Sequence, residues 1–183
     1  KHMAQRGFTP LHLARLALRA PAALLWTSAL HETTIRIPNL IWGWKWRLNI
    51  IHLWGQGFAK IMGIHIHERN QREGEMGDVI IANHMGFLDI PVLLSYYPAV
   101  FIIKMEMRKV PYFGKALVEQ AHVFVQRGDK GSARQATQGL VDVLKDGSRI
   151  IVFPEGGASS GIERRPFKPR SFAEAQRLGK KAE

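Results

Sequence analysis

The sequence contains no cysteine. That excludes a disulfide framework, a thiolate metal site and a cysteine nucleophile, and it suits a reducing compartment. An unbroken apolar stretch of membrane-spanning length is also missing. The run from Leu11 to Leu30 is interrupted by Arg15, Arg19 and Pro21, so a simple spanning helix is not expected. No cleavable signal peptide is read; Lys1, His2 and Met3 are set aside as an expression scar and start codon. Acidic residues are scarce at the start: residues 1–63 carry Lys1, Arg6, Arg15, Arg19, Arg36, Lys45, Arg47 and Lys60 against Glu32 alone, within a formal net charge of +11. Such a segment favours an anionic partner, whether membrane surface, nucleic acid or acidic substrate.

What is present decides among these. With 46% hydrophobic residues in 183, the chain can build a real core. His12, Arg15 and Arg19 recur on one face of a first helix among leucines, and Pro21 is expected to kink it or start a second piece. Lys45, Asn49, His52, Gln56 and Lys60 form a polar stripe on a second helix, opposite Trp44, Leu48, Ile51 and Phe58. Trp42, Trp44, Trp46 and Trp54 stand there beside Lys45 and Arg47, a combination suited to the water–lipid boundary. Residues 4–62 are therefore expected to be amphipathic helices for membrane association. The bland alternative is that the tryptophans are ordinary core, packed on the following domain or on another subunit.

From Gly63 the pattern changes. "IHIHE", "DVIIAN", "VFIIK", "HVFVQR" and "RIIVFPEG" read as strands, with "LDIPVLLSY", "PYFGKALVEQ" and "SARQATQGLVDVLKD" as crossover helices. The expected fold class is α/β, a mainly parallel sheet flanked by helices. His65 and His67 alternate on the first of these strands, but no third ligand stands at suitable spacing, so no metal is expected. Four strands end on polar groups: His84, Lys104, Arg127 and Glu155. In a parallel sheet their carboxyl ends share one edge, where open α/β sheets place ligands. His84 suits a general base, and Asp89, five residues on across a turn at Gly86, can fix its tautomer. Lys104 and Arg127 offer charge to an anionic substrate, and Gly156–Gly157 allow close backbone approach.

Over roughly residues 60–172 the sequence resembles the 1-acylglycerol-3-phosphate acyltransferases and, more broadly, the glycerolipid acyltransferases. "NHMGFLD" is similar to the family's N-H-x4-D block, "FVQR" to its F-[IV]-x-R block and "FPEGG" to its F-P-E-G-T block, in the family's order. The resemblance implies that residues 63–183 are an acyltransferase domain. Within it His84 takes the proton of an acceptor hydroxyl that attacks an acyl thioester, and Asp89 orients His84. Arg127 and Lys104 bind the acceptor phosphate, and Glu155 and Gly156 shape the acceptor site. The implied partners are membrane lipids, a lysolipid acceptor and a donor that is acyl-CoA or acyl carrier protein. No cofactor and no nucleic acid are implied, and the residues carry no signal of oligomeric state. The implied location is a membrane surface, in a bacterium the cytoplasmic face of the inner membrane.

Gly157 and Ala158 stand where the family often has Thr and Arg. "FPEGGASSGIERRPFKPRSF" is closer to relatives that include lyso-ornithine-lipid and other lysophospholipid acyltransferases. Lysophosphatidate is the leading acceptor, with lyso-ornithine lipid the alternative. A noncatalytic, membrane-tethered lipid binder would use the same helices and pocket without turnover. The chain ends at "LGKKAE", before the family's fourth block, so a C-terminal part is expected to be missing.

Overall fold

The computed structural model describes residues 9–36, 46–67, 76–110, 113–126, 128–158, 166–167 and 170–182. Two helices open it: α1 (Pro10–Arg36) and α2 (Trp46–Met62). The remaining elements follow in the order β1 (Val79–Ile81), α3 (Asp89–Tyr96), β2 (Ala99–Lys104), a 3-10 turn (Met105–Lys109), α4 (Phe113–Glu119), β3 (Val123–Val125), α5 (Lys130–Lys145), β4 (Arg149–Val152) and α6 (Arg170–Arg177). Trp42, Trp44, Lys45 and Arg127 lie outside the described residues.

The sheet runs β1-β4-β2-β3 and every pair of these strands is parallel, with Ile80 beside Ile151, Phe101 beside Ile151 and Ile102 beside Val123. The short strands are apolar without alternation because helices cover both faces. Val79, Val100, Ile150 and Ile151 are fully buried, and Leu140 and Leu144 of α5 close over them. This is the expected α/β architecture.

Two expectations change. Ile64–His67 form no strand, and both histidines are exposed. Pairing decides a strand: on the outer edge of β1, Asp78 and Val79 donate their N–H groups to Lys181 O, and Val79 bridges to Ala182. Pro21 neither breaks α1 nor divides it. It stands on an exposed turn, where water can satisfy the carbonyl that proline leaves without a donor.

The helical pair is fastened to the sheet domain. Leu48 and Ile51 of α2 belong to the common core, and Gly55 and Gly57 let neighbours approach on two sides. A Cβ on Gly55 would fall 2.7 Å from the backbone of Leu94 in α3, and one on Gly57 would fall 2.4 Å from the Trp26 indole of α1. Polar ties complete the fit: Arg19 donates to Met62 O at 2.9 Å, Trp54 Nε1 donates to Thr27 Oγ1 at 3.0 Å, and His52 Nδ1 donates to Leu94 O at 2.7 Å. Buried Arg47 donates to Glu119 O at the end of α4. The first turns of α1 project beyond these contacts, leaving Leu11, Leu13, Leu16 and Leu18 exposed.

Candidate active site

β1 and β4 are neighbours, so the residues that follow them meet. His84 comes after β1, and its imidazole stacks on Phe153, which comes after β4, with ring centres 4.2 Å apart. The loop from Met85 to Leu88 then turns into α3, whose first residue is Asp89. One carboxylate oxygen of Asp89 accepts three hydrogen bonds: from His84 Nδ1–H at 2.8 Å, Met85 N–H at 2.7 Å and Gly86 N–H at 2.9 Å. The same atom thereby shapes the loop and holds the imidazole. Because a carboxylate only accepts, the proton sits on Nδ1 and the Nε2 lone pair is free to take another. Both side chains are about three-quarters buried, with relative exposures of 22% and 24%, so the pair is partly screened yet reachable.

The pair opens on a cavity of about 1260 Å³, larger than an ordinary small-ligand pocket. Its walls are mainly apolar and come from Leu30 of α1, Trp54 of α2, Ile90 of α3, Phe101 and Ile103 of β2, and Leu140 of α5. Lys104, at the end of β2, is exposed and lines the same cavity. After β4, Pro154, Gly156, Gly157 and Ala158 line it, Gly156 in the left-handed region at φ 71° where a glycine costs little. Glu155 between them is buried, and its Oε2 has no hydrogen-bond partner among the described residues. Of the six residues singled out from the sequence, His84 and Asp89 are in direct contact, and Lys104 and Gly156 share their cavity. Glu155 sits next to Gly156, and Arg127 is outside the described residues.

Sequence reasoning missed Phe153 as the wall behind the imidazole, although it opens the quoted "FPEGG". It also missed His122. This residue is buried at the start of β3, and its Nδ1 accepts the Phe101 N–H at 2.9 Å. Desolvation pushes its pKa from 6.5 down to about 3. The linkage has a definite sign. Between about pH 6.5 and 3 the unfolded chain takes up a proton at this site and the folded chain does not. Stability contributed here is therefore complete above pH 6.5 and falls with acidification by about 1.4 kcal/mol per pH unit. Urea midpoints from pH 6 to 4 should fall less steeply in His122→Gln than in the wild type; parallel slopes would show that His122 titrates normally.

Comparison with known proteins places these residues in context. The family described as Acyltransferase matches residues 63–181, about two-thirds of the chain, and that span holds every residue of the site apart from the helical wall. The chain belongs to the acyltransferase family. A 1-acyl-sn-glycerol-3-phosphate acyltransferase of Neisseria meningitidis is 32% identical over 128 residues, covering 69% of this chain and 50% of the relative. A lyso-ornithine lipid O-acyltransferase of Brucella abortus is 33% identical over 134 residues, covering 73% and 49%. The chain thus spans about half the length of these relatives. The crystal structure of a 1-acyl-sn-glycerophosphate acyltransferase from Thermotoga maritima shares the fold, with a TM-score of 0.70 and 22% identity over 93% of this chain and 71% of that one. That likeness takes in the helical pair as well as the sheet.

Proposed function

We propose that this acyltransferase-family chain transfers an acyl group from a thioester, acyl-CoA or acyl carrier protein, to the hydroxyl of a lysolipid at a membrane surface, with 1-acyl-sn-glycerol-3-phosphate the leading acceptor. The observation that carries this reading is the Asp89–His84 hydrogen bond at the mouth of a large apolar cavity. Nε2 of His84 takes the acceptor hydroxyl proton as the oxygen attacks the thioester carbonyl. Asp89, 2.8 Å from Nδ1, stabilises the imidazolium that forms. The tetrahedral intermediate collapses with loss of the thiolate, which takes the proton back from the imidazolium. The chain's own side chains form no covalent bond in either step. The cavity is assigned to the donor's acyl chain and the cavity-lining Lys104 to the acceptor's phosphate, with Arg127 in the phosphate-binding role that the F-[IV]-x-R resemblance implies. Glu155, whose buried Oε2 has no partner among the described residues, is assigned to shaping the acceptor site from beside the cavity-lining Gly156.

One observation favours lyso-ornithine lipid as a second acceptor: Ala158 lines the cavity where the family often has arginine, which leaves less positive charge for a phosphomonoester. An assay of both acceptors separates the readings. Arg127→Ala should raise KM about tenfold or more for lysophosphatidate and far less for lyso-ornithine lipid, because only the former loses a contact to a doubly charged phosphomonoester. Equal effects on both would give Arg127 a structural role, and a wild-type preference for lyso-ornithine lipid would move the assignment to that acceptor.

A further inference from the structure

The wall of the cavity is a row of rings that ends on a polar group. His84 stacks on Phe153, Phe153 stacks on Phe101 at 5.6 Å, and Phe101 stands 6.1 Å from His122. The first three belong to one face of the sheet: Phe101 is paired with Ile151, and Phe153 lies two residues further along the same chain. His122 arrives there through the end of α4. Ala121, at φ 57°, ends that helix in the left-handed conformation, with Ala121 N–H donating to Val118 O and His122 N–H to Leu117 O. The chain leaves this cap with the His122 ring, instead of a backbone carbonyl, opposite the Phe101 N–H.

That placement settles the tautomer. Nδ1 accepts, so in the neutral ring the proton is on Nε2, and the ring stays neutral because burial holds its pKa near 3. His122 is 7% exposed and lines both this cavity and a smaller one beside α5; its hydrogen bond is through Nδ1, and Nε2 is not among the fully enclosed unpartnered atoms, so water reaches it until a ligand displaces that water. Gln120 lines the cavity beside it. A plain hydrocarbon leaves such a donor unmet, which is unfavourable, whereas an oxygen on the chain meets it.

We propose that His122 makes the cavity selective for an acyl chain bearing an oxygen substituent, a hydroxyl or keto group, that accepts the Nε2–H at the end of the ring row away from His84. This deepens the proposed function and rests on its placing of the donor acyl chain in the cavity. The test uses the wild-type protein and CoA thioesters of one chain length: a plain chain, and chains with a single hydroxyl near the thioester, at mid-chain or at the terminus. One hydroxylated donor should exceed the plain chain about tenfold in kcat/KM. His122→Leu should abolish the preference. His122→Gln, whose amide keeps an acceptor for the Phe101 N–H and a donor for the ligand, should retain part of it. Equal or better use of the plain chain against every hydroxylated donor overturns the proposal, whether or not the variants fold. Displacement of a fluorescent fatty acid by the matching free acids reads the cavity without turnover. Preference for a hydroxylated acid with no acyl transfer from either CoA or carrier-protein thioesters would support the His122 site and overturn the reaction; transfer without preference in either assay would overturn the His122 site alone.

Discussion

His84→Ala is expected to lower turnover by about 10² to 10⁴-fold while lysolipid binding stays nearly intact, the range typical of losing a positioned general base. The effect falls on kcat because the imidazole acts on a proton that moves only as the new bond forms. On the proposed mechanism binding is spared, because the apolar walls and the cations, not Nε2, are assigned to holding the lipid. Asp89→Asn should be milder. An amide oxygen in place of the carboxylate can still accept from His84 Nδ1, Met85 N and Gly86 N, so the loop keeps its shape and only the charge facing the imidazolium is lost. A His84→Ala protein with turnover within twofold of wild type would remove His84 from the mechanism. Lipid binding without turnover in the wild type would favour the noncatalytic tether.

Replacing Leu11, Leu13, Leu16 and Leu18 together by serine should release the protein from anionic vesicles. These four side chains are between 44% and 78% exposed in the projecting turns of α1. Fully burying a leucine is worth about 1.5–3 kcal/mol, so even half of that for each of the four sums to several kcal/mol, a loss of roughly a thousandfold in partitioning. Exposed Arg15 adds about 1 kcal/mol when it lies near an anionic surface. No helix among the described residues is long and apolar enough to cross a membrane. Deleting the whole segment would be a poor test, since Leu48 and Ile51 belong to the core. The serine variant should keep the wild-type melting temperature and lose vesicle sedimentation; equal sedimentation would reject docking through this face.

How far the sequence could be read follows from what each pattern depends on. β1, β2 and β4 were legible because strands covered on both faces are continuous apolar runs, and the H-x4-D spacing was legible because a turn at Gly86 lets the two side chains meet. Ile64–His67 misled because alternation marks a strand only where a pairing edge is free. α6 escaped notice since it is short and mostly polar; among its described side chains Ala175 is buried, with Leu178 packing just after the helix. The depth of α2 in the core was hidden by its tryptophans and cations, which suit lipid and protein interior alike. His122 could not be recognised from "HVFVQR", because its role comes from the backbone turn at Ala121 and from Phe101 on another strand.

The most direct measurement follows isotope-labelled acyl-CoA and lysophosphatidate with the purified protein on anionic vesicles, by mass spectrometry of lipid and of rapidly quenched protein. The expected result is phosphatidic acid carrying the labelled acyl group, one free thiol released for each ester formed, and unmodified protein at every time point. A labelled acyl adduct on the protein, or no acylated product from lysophosphatidate or lyso-ornithine lipid with either CoA or carrier-protein donors, would contradict it.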